Sequence, residues 1–248
     1  MARRYPAQIG NWKISPEPYD LDELYVILKH EIQESMGDIK NPSMLLSGGV
    51  DSSILALLLK EIKPGITCFT IGSSCEHPDV FSAIKLAKEK DLNIKIWIPD
   101  KRNISVAREL IKDKFPGDSS VYLALKFVSC FSQFLLATDG IDELMGGYWW
   151  HSHRNTEFPK IDIAFEYFWN RLEEKHLSPM YESAKKVGVN IDWIFLHEPI
   201  VNYISKIPLK NRVGKDDSKK LWKKFAAMIG VPEWVINREK RGFCDAFN

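Results

Sequence analysis

Short apolar runs separated by longer helix-patterned stretches constrain what this chain can fold into more than any other feature. Met44-Leu45-Leu46, Ile66-Thr67-Cys68-Phe69-Thr70-Ile71, Ile94-Lys95-Ile96-Trp97-Ile98 and Phe134-Leu135-Leu136-Ala137 have the length of strands rather than of free-standing helices. β-branched and aromatic residues favour the strand in the middle two. Between them, Ser52 to Lys60 is apolar almost all round, as expected of a helix packed inside a domain. Pro78 to Lys90 puts Phe81, Ile84 and Ala87 at helical spacing, with lysines on other faces and proline at the opening. A third helix, from about Ser119 to Gln133, carries Val121, Leu125, Val128 and Ser132 along one side. Strand and helix in alternation predict an α/β fold with a parallel sheet.

The first run leads directly into Ser47-Gly48-Gly49-Val50-Asp51-Ser52-Ser53 and then into the apolar helix. Strand, glycine turn and helix N-terminus in that order make an anion site. Successive backbone N–H groups and the positive helix end face one point, and glycine lets the backbone approach phosphate oxygens without a Cβ. Ser47, Ser52 and Ser53 add hydroxyl donors. The loop lacks the lysine of GxxxxGK[ST] and is not GxGxxG, so neither kinase-type γ-phosphate handling nor dinucleotide binding is indicated. Asp51 stands where phosphate charge would concentrate, which makes sense for a carboxylate that holds Mg²⁺. A plain strand-to-helix turn would use serine and glycine too.

Beyond Tyr148 the pattern changes to helices and loops rich in aromatics. The Trp149-Trp150 pair and the run Phe165-Glu166-Tyr167-Phe168-Trp169 are expected in the core, and His151 and His153 on the surface or lining a pocket. Ser218 can cap a helix holding Leu221, Trp222, Phe225 and Ile229, closed by Gly230 and Pro232. Among Cys68, Cys75, Cys130 and Cys244 there is no CxxC pair. Cys68 and Cys130 sit in apolar runs, so buried free thiols are expected. The 34 basic and 33 acidic residues balance to a net charge of +1, which supplies no global field for nucleic acid or anionic lipid. The start lacks the apolar run of a signal peptide, and no stretch is apolar for the roughly 18 residues a membrane span needs. A soluble cytoplasmic protein with no nucleic-acid or membrane partner is expected.

Ser47 to Ser53 resembles the SGGxDSS pyrophosphate loop of N-type ATP pyrophosphatases. Two more segments narrow the resemblance to the synthetase domain of asparagine synthetases. Thr138-Asp139-Gly140-Ile141-Asp142-Glu143-Leu144-Met145-Gly146-Gly147-Tyr148 is similar to GEGxDELFGGY, and Lys219 to Lys223 with Pro232, Arg238 and Lys240 is similar to KxxLR…P…RxK. The similarity runs from about Asn41 to the C-terminus, loosest in the middle of the helical part. It implies a Rossmann-like parallel sheet with flanking helices (adenine nucleotide alpha hydrolase-like), followed by a mainly helical C-terminal part. The corresponding division is 1–40 tail and helix, 41–150 ATP pyrophosphatase core, and 151–248 helical part of the same synthetase domain.

The resemblance implies an ATP-dependent amide-forming ligase. Such an enzyme adenylates a carboxylate, aspartate or similar, releases AMP and pyrophosphate, and uses ammonia or an amine as nucleophile. Ser47, Gly48, Gly49, Asp51, Ser52, Ser53, Ile71, Gly72, Thr138 and Gly140 are then the ATP and pyrophosphate contacts, and Asp51 and Asp142 the Mg²⁺ ligands. Asp139 and Lys219 are the catalytic positions: the first polarises or deprotonates the nucleophile, the second stabilises charge on adenylate and pyrophosphate. The acid loop follows a strand whose end opens onto the same crevice as the phosphate loop, so both are expected to face one ligand. Thr138 and Asp139 replace the family's glycine and glutamate, and Lys223 its arginine, which leaves the substrate open. Lys220, Lys223 and Lys224 read as an ordinary solvated helix face.

Asparagine synthetases of the usual kind carry an N-terminal glutaminase whose cysteine follows the initiator methionine. Here that position is Ala2, and the segment before Ser47 reads as a tail plus a helix from Leu21 to Met36. Free ammonia, a separate glutaminase subunit or another amine is therefore the expected nitrogen source. A β-lactam-synthetase-like cyclase, whose relatives place a tyrosine and glutamate pair near the reaction centre, is a lower-ranked alternative because this sequence offers no equivalent at Asp139; an ATP-binding subunit acting with a separate glutaminase partner is another. A second copy of the chain stays among the possible partners.

Overall fold

In a computed structural model of the chain, residues 18–153, 157–239 and 246–247 are described, so Lys240 and Cys244 lie outside the described residues. In chain order the elements are α1 (Leu21–Met36), β1 (Ser43–Leu45), α2 (Val50–Ile62), β2 (Thr67–Ile71), α3 (Pro78–Glu89), β3 (Asn93–Trp97), α4 (Lys101–Ile111), α5 (Asp118–Ser129) and β4 (Phe134–Ala137). After these come α6 (Ile141–Met145), α7 (Trp149–Ser152), α8 (Ile161–Leu172), α9 (Ser178–Val187), β5 (Asn190–Trp193), α10 (Glu198–Ser205), α11 (Leu209–Arg212), α12 (Lys220–Met228) and α13 (Glu233–Ile236).

The described residues group into two compact units. One lies within Met1–Gly37, Thr138–His176 and Trp193–Gly230, the other within Asp38–Ala137, Leu177–Asp192 and Val231–Asn248. The second unit holds the sheet, in the order β3-β2-β1-β4-β5. β1 pairs parallel with β2 and with β4, Met44 lying opposite both Cys68 and Leu136, and β2 pairs parallel with β3. The strand order reverses between β1 and β4, which in open parallel sheets is where a crevice forms outside the strand C-terminal ends. α2 is buried from Ser52 through Leu59, matching its all-round apolar sequence. Asp100 and Asn103 form a reciprocal capping box that starts α4.

The first unit is helical. α1 buries Leu24, Leu28, Ile32 and Met36, one residue per turn, and the Asp20 side chain caps it. Buried His197 meets Glu31 of α1 at 3.0 Å, and Tyr203 of α10 donates to Asp20 O at 2.6 Å. Trp222 stacks on Phe225 with centroids 5.1 Å apart and meets Phe195 edge-on, forming the centre of the apolar packing beneath α12.

Several expectations are corrected. Cys68 is buried as a free thiol, but Cys130 is exposed at the end of α5 together with exposed Cys75 on its own loop. α5 stops at Ser129 rather than Gln133, because the Ser132 hydroxyl bonds to Asn41 O and Phe134 O and fixes a turn into β4. The buried stripe of α3 runs through Val80, Ala83, Leu86 and Ala87, and Phe81 is 59% exposed. Trp149 and Trp150 are 54% and 38% exposed, whereas Phe165 and Trp169 are buried as expected. His151 is fully buried, its ring 4.3 Å from that of Phe165. Lys219, in the left-handed conformation, occupies the N-cap position of α12 instead of Ser218. Lys220 and Lys224 are exposed as expected, but Lys223 is half-buried and pairs with Asp217 at 2.7 Å.

Candidate functional site

The expected phosphate loop, Ser47 to Ser53, is built within the sheet unit. Leu46 N–H donates to Phe69 O at 2.8 Å, so strand pairing reaches the residue just before the loop. Gly48 then turns at φ +66, where a Cβ would lie 2.5 Å from Ser82 Cβ and 2.6 Å from Ser82 C. The back of the loop therefore rests on the main chain of α3, and only glycine fits. Gly49 is the N-cap of α2 and receives no side-chain capping bond, so the positive end of a helix buried from Ser52 through Leu59 is presented through the loop.

The serine hydroxyls lock the loop internally. Ser53 Oγ donates to Gly49 O at 2.7 Å, Ser52 Oγ to the same oxygen at 3.2 Å, and Ser47 Oγ lies 3.1 Å from Ser52 Oγ. Gly49 N–H reaches Ser47 Oγ at 3.3 Å and Ser47 N–H reaches Ser52 Oγ at 3.2 Å, long bonds that phosphate oxygens can replace. Asp51 stands half-buried in the first turn of α2. Ile71 ends β2, and at Gly72 a Cβ would meet Val80 Cγ2 at 2.5 Å, so the backbone after β2 packs directly against α3.

One residue at the loop was not among the expected contacts. Arg238 Nη1 donates to Ser47 O at 3.3 Å and Nη2 pairs with Asp79 Oδ1 of α3. The sequence marks it only through the RxK tail, with no hint of its partner.

The carboxylate turn is built within the helical unit. Thr138 and Asp139 follow β4, both half-buried, and Gly140 at φ +90 opens the single turn of α6. A side chain at Gly140 would strike Leu196, and α6 closes on Gly146 at φ +75, whose neighbour Gly147 donates to Asp142 O at 2.7 Å. A Cβ at Gly147 would fall on Asp142 Oδ1 and 2.5 Å from Lys219 Cε. The glycine thus leaves room for Lys219 Nζ to meet Asp142 Oδ1 at 2.6 Å. Lys219 is 4% exposed and sits at φ +54, with its N–H on Gly146 O at 3.2 Å. A buried non-glycine residue in that region is strained, and such strain collects at functional sites.

Behind this pair, Tyr148 OH donates to Glu143 Oε1 at 2.8 Å. Burial, followed by the charges of Glu143, Asp142 and Asp139, holds the phenol far above its ordinary range, so it stays protonated. Buried Arg212 donates to Leu144 O, Ser205 O and Ile207 O at 2.9 to 3.0 Å, pinning α6 to the turn before α11, and burial lowers its pKa to about 9.

The expected residues thus fall into two sets, one in each unit: Ser47 to Ser53 with Ile71 and Gly72 in the sheet unit, and Thr138, Asp139, Gly140, Asp142 and Lys219 in the helical one. Among the described residues no group of three or more His, Cys, Asp or Glu side chains is gathered to hold a metal. Asp51 and Asp142 each carry hard carboxylate oxygens, the ligand type that Mg²⁺ takes. Among the described residues no helix is long and apolar enough to cross a membrane.

Compared with known families, residues 27–191 match the model of asparagine synthase. A search of curated proteins finds no match. Among solved structures, the NH3-dependent NAD synthetase from Campylobacter jejuni in complex with the nitrate ion matches at 18% identity over 74% of this chain and 77% of that one, with a TM-score of 0.43. NMN synthetase from Francisella tularensis matches at 13% identity over 76% and 94%, with a TM-score of 0.42. A predicted subunit of tRNA methyltransferase from Methanocaldococcus jannaschii matches at 17% identity over 66% and 73%, with a TM-score of 0.36.

Proposed function

The chain belongs to the asparagine synthase family, and on that premise we propose that it is an ATP-dependent amide-forming ligase that adenylates a small carboxylate. The observation that carries this reading is the phosphate loop, a glycine turn seated on the backbone of α3 at the uncapped end of a buried helix. In this reading the N–H groups of the loop and the hydroxyls of Ser47, Ser52 and Ser53 hold the β- and γ-phosphates of ATP. The substrate carboxylate attacks the α-phosphorus, and pyrophosphate leaves. Negative charge grows on the leaving group, and Lys219, already desolvated, is the cation assigned to meet it. Asp51 and Asp142 are assigned to Mg²⁺, which supplies charge neutralisation on the pyrophosphate when bound.

The second half-reaction needs an uncharged amine, since an ammonium has no lone pair for the acyl carbon. Asp139 is assigned to take up that proton, and the new C–N bond expels AMP. One observation favours a second reading, closure of an internal amine: Tyr148 and Glu143 form a hydrogen-bonded pair behind the acid turn. Mass spectrometry of products from ATP, aspartate and ammonia separates the two. AMP with asparagine supports ammonia-dependent synthesis. AMP only with a substrate carrying its own amine, and no ammonia requirement, supports closure. No AMP with any carboxylate would overturn both.

A further inference from the structure

We propose that Arg238 is the positioning residue that sets the phosphate loop in its anion-binding form, by fastening the C-terminal segment and α3 to the Ser47 carbonyl. The inference rests on the reading of that loop as a phosphate site. Its elements all lie within the sheet unit.

Arg238 bridges two groups with one guanidinium: Nη1 donates to Ser47 O at 3.3 Å and Nη2 pairs with Asp79 Oδ1. Both side chains of the pair are largely buried, 15% and 9% exposed. A buried ion pair holds its geometry only when hydrogen bonds satisfy the remaining donors, and the Ser47 carbonyl is one such partner. The consequence reaches the ligand side. In a planar trans peptide the C=O of Ser47 and the N–H of Gly48 point in opposite directions. Holding that oxygen on Arg238 turns the Gly48 N–H away from Arg238, while Gly48 itself is pressed against Ser82 and Ala83 of α3. The residue therefore works through the orientation of a backbone donor.

The segment carrying Arg238 is itself docked along α3. Trp234 Nε1 donates to Glu89 Oε2 at 2.9 Å, and Lys85 Nζ lies 4.1 Å from the centre of the Trp234 ring. Asp79, Lys85 and Glu89 thus bind one strap at points along the helix. Arg238 differs from Trp234 in reaching beyond the helix to the loop. Lysine cannot replace it fully, since a single ammonium lacks the planar fork that serves two acceptors at once.

Titration calorimetry on the full chain tests this with inorganic pyrophosphate, ATP and adenosine as probes. Arg238→Ala is expected to weaken pyrophosphate and ATP about tenfold or more, leaving adenosine binding unchanged, with partial recovery in millimolar guanidinium. Arg238→Lys is expected to fall between, and Asp79→Asn combined with Arg238→Ala to be no weaker than Arg238→Ala alone, because Asp79 acts through the arginine. Wild-type affinity for pyrophosphate in folded Arg238→Ala, or in Arg238→Lys should the alanine variant not fold, would overturn the inference. A wild-type chain that binds neither pyrophosphate nor ATP would overturn the reading of the loop instead.

Discussion

Holding Lys219 at φ +54 costs the fold on the order of 1–3 kcal/mol, and its ammonium is almost wholly removed from water. The position is explained if the amine works where it stands, paired with Asp142 until substrate charge arrives. Lys219→Ala should then lower kcat roughly 10²–10³-fold while circular dichroism stays native; steady-state kinetics check this. The Tyr148 hydroxyl, kept protonated by burial and neighbouring acids, donates to Glu143, which is 2% exposed. Tyr148→Phe removes that donor from a buried carboxylate and should destabilise by roughly 1–3 kcal/mol, read as a lower Tm. Burial pushes the Cys68 thiol up to about 12, so it stays protonated through pH 9. Peptide mapping after maleimide treatment at pH 7 and pH 9 should find Cys75 and Cys130 labelled and Cys68 unlabelled at both. At this scale the order of strand, glycine turn and helix around Ser47 to Ser53 was legible because its spacing is local. The partner of Arg238 was not, since Ser47 lies 191 positions away and only the tertiary fold brings the two together.

Among the elements, the strands β1 to β4 were legible because each centres on a short apolar run between turn residues; burial of β1, β2 and β4 in a parallel sheet removes the need for alternation, whereas β3, at one end of the sheet, buries none of its residues. β5, reading Asn190-Ile191-Asp192-Trp193 at the end of the sheet, carries polar residues that hide it. α3 shows the limit of periodicity: two helical stripes one residue apart are both apolar in part, and contact with the sheet selects the one through Val80 and Ala83, leaving Phe81 exposed. Trp149 and Trp150 likewise read as core by composition, but a four-residue helix has too short a face to bury both. Two glycines join element geometry to the site. Gly48→Ala would drive a Cβ into the main chain of α3 and should abolish nucleotide binding, measured by calorimetry, with Tm lowered. Gly147→Ala would place a methyl between Asp142 and Lys219 and should cut kcat as strongly as loss of the lysine, with ATP affinity falling far less.

For the whole molecule, a net charge of +1 leaves phosphate recognition to local devices, and in the proposed reading the loop supplies one from backbone N–H groups and a helix end rather than from a cluster of cations. The family follows from a match over residues 27–191, and Thr138 and Asp139 stand where the resemblance to its members has glycine and glutamate. Formation of an acyl-adenylate is the step on which the proposed activity turns. Exchange of radiolabelled pyrophosphate into ATP, run across a panel of small carboxylates, measures that step without requiring the nitrogen source. Exchange is expected to depend on one class of carboxylate and to disappear in Asp51→Ala. Exchange with no carboxylate of the panel, or exchange that persists unchanged in Asp51→Ala, would contradict the proposed activity.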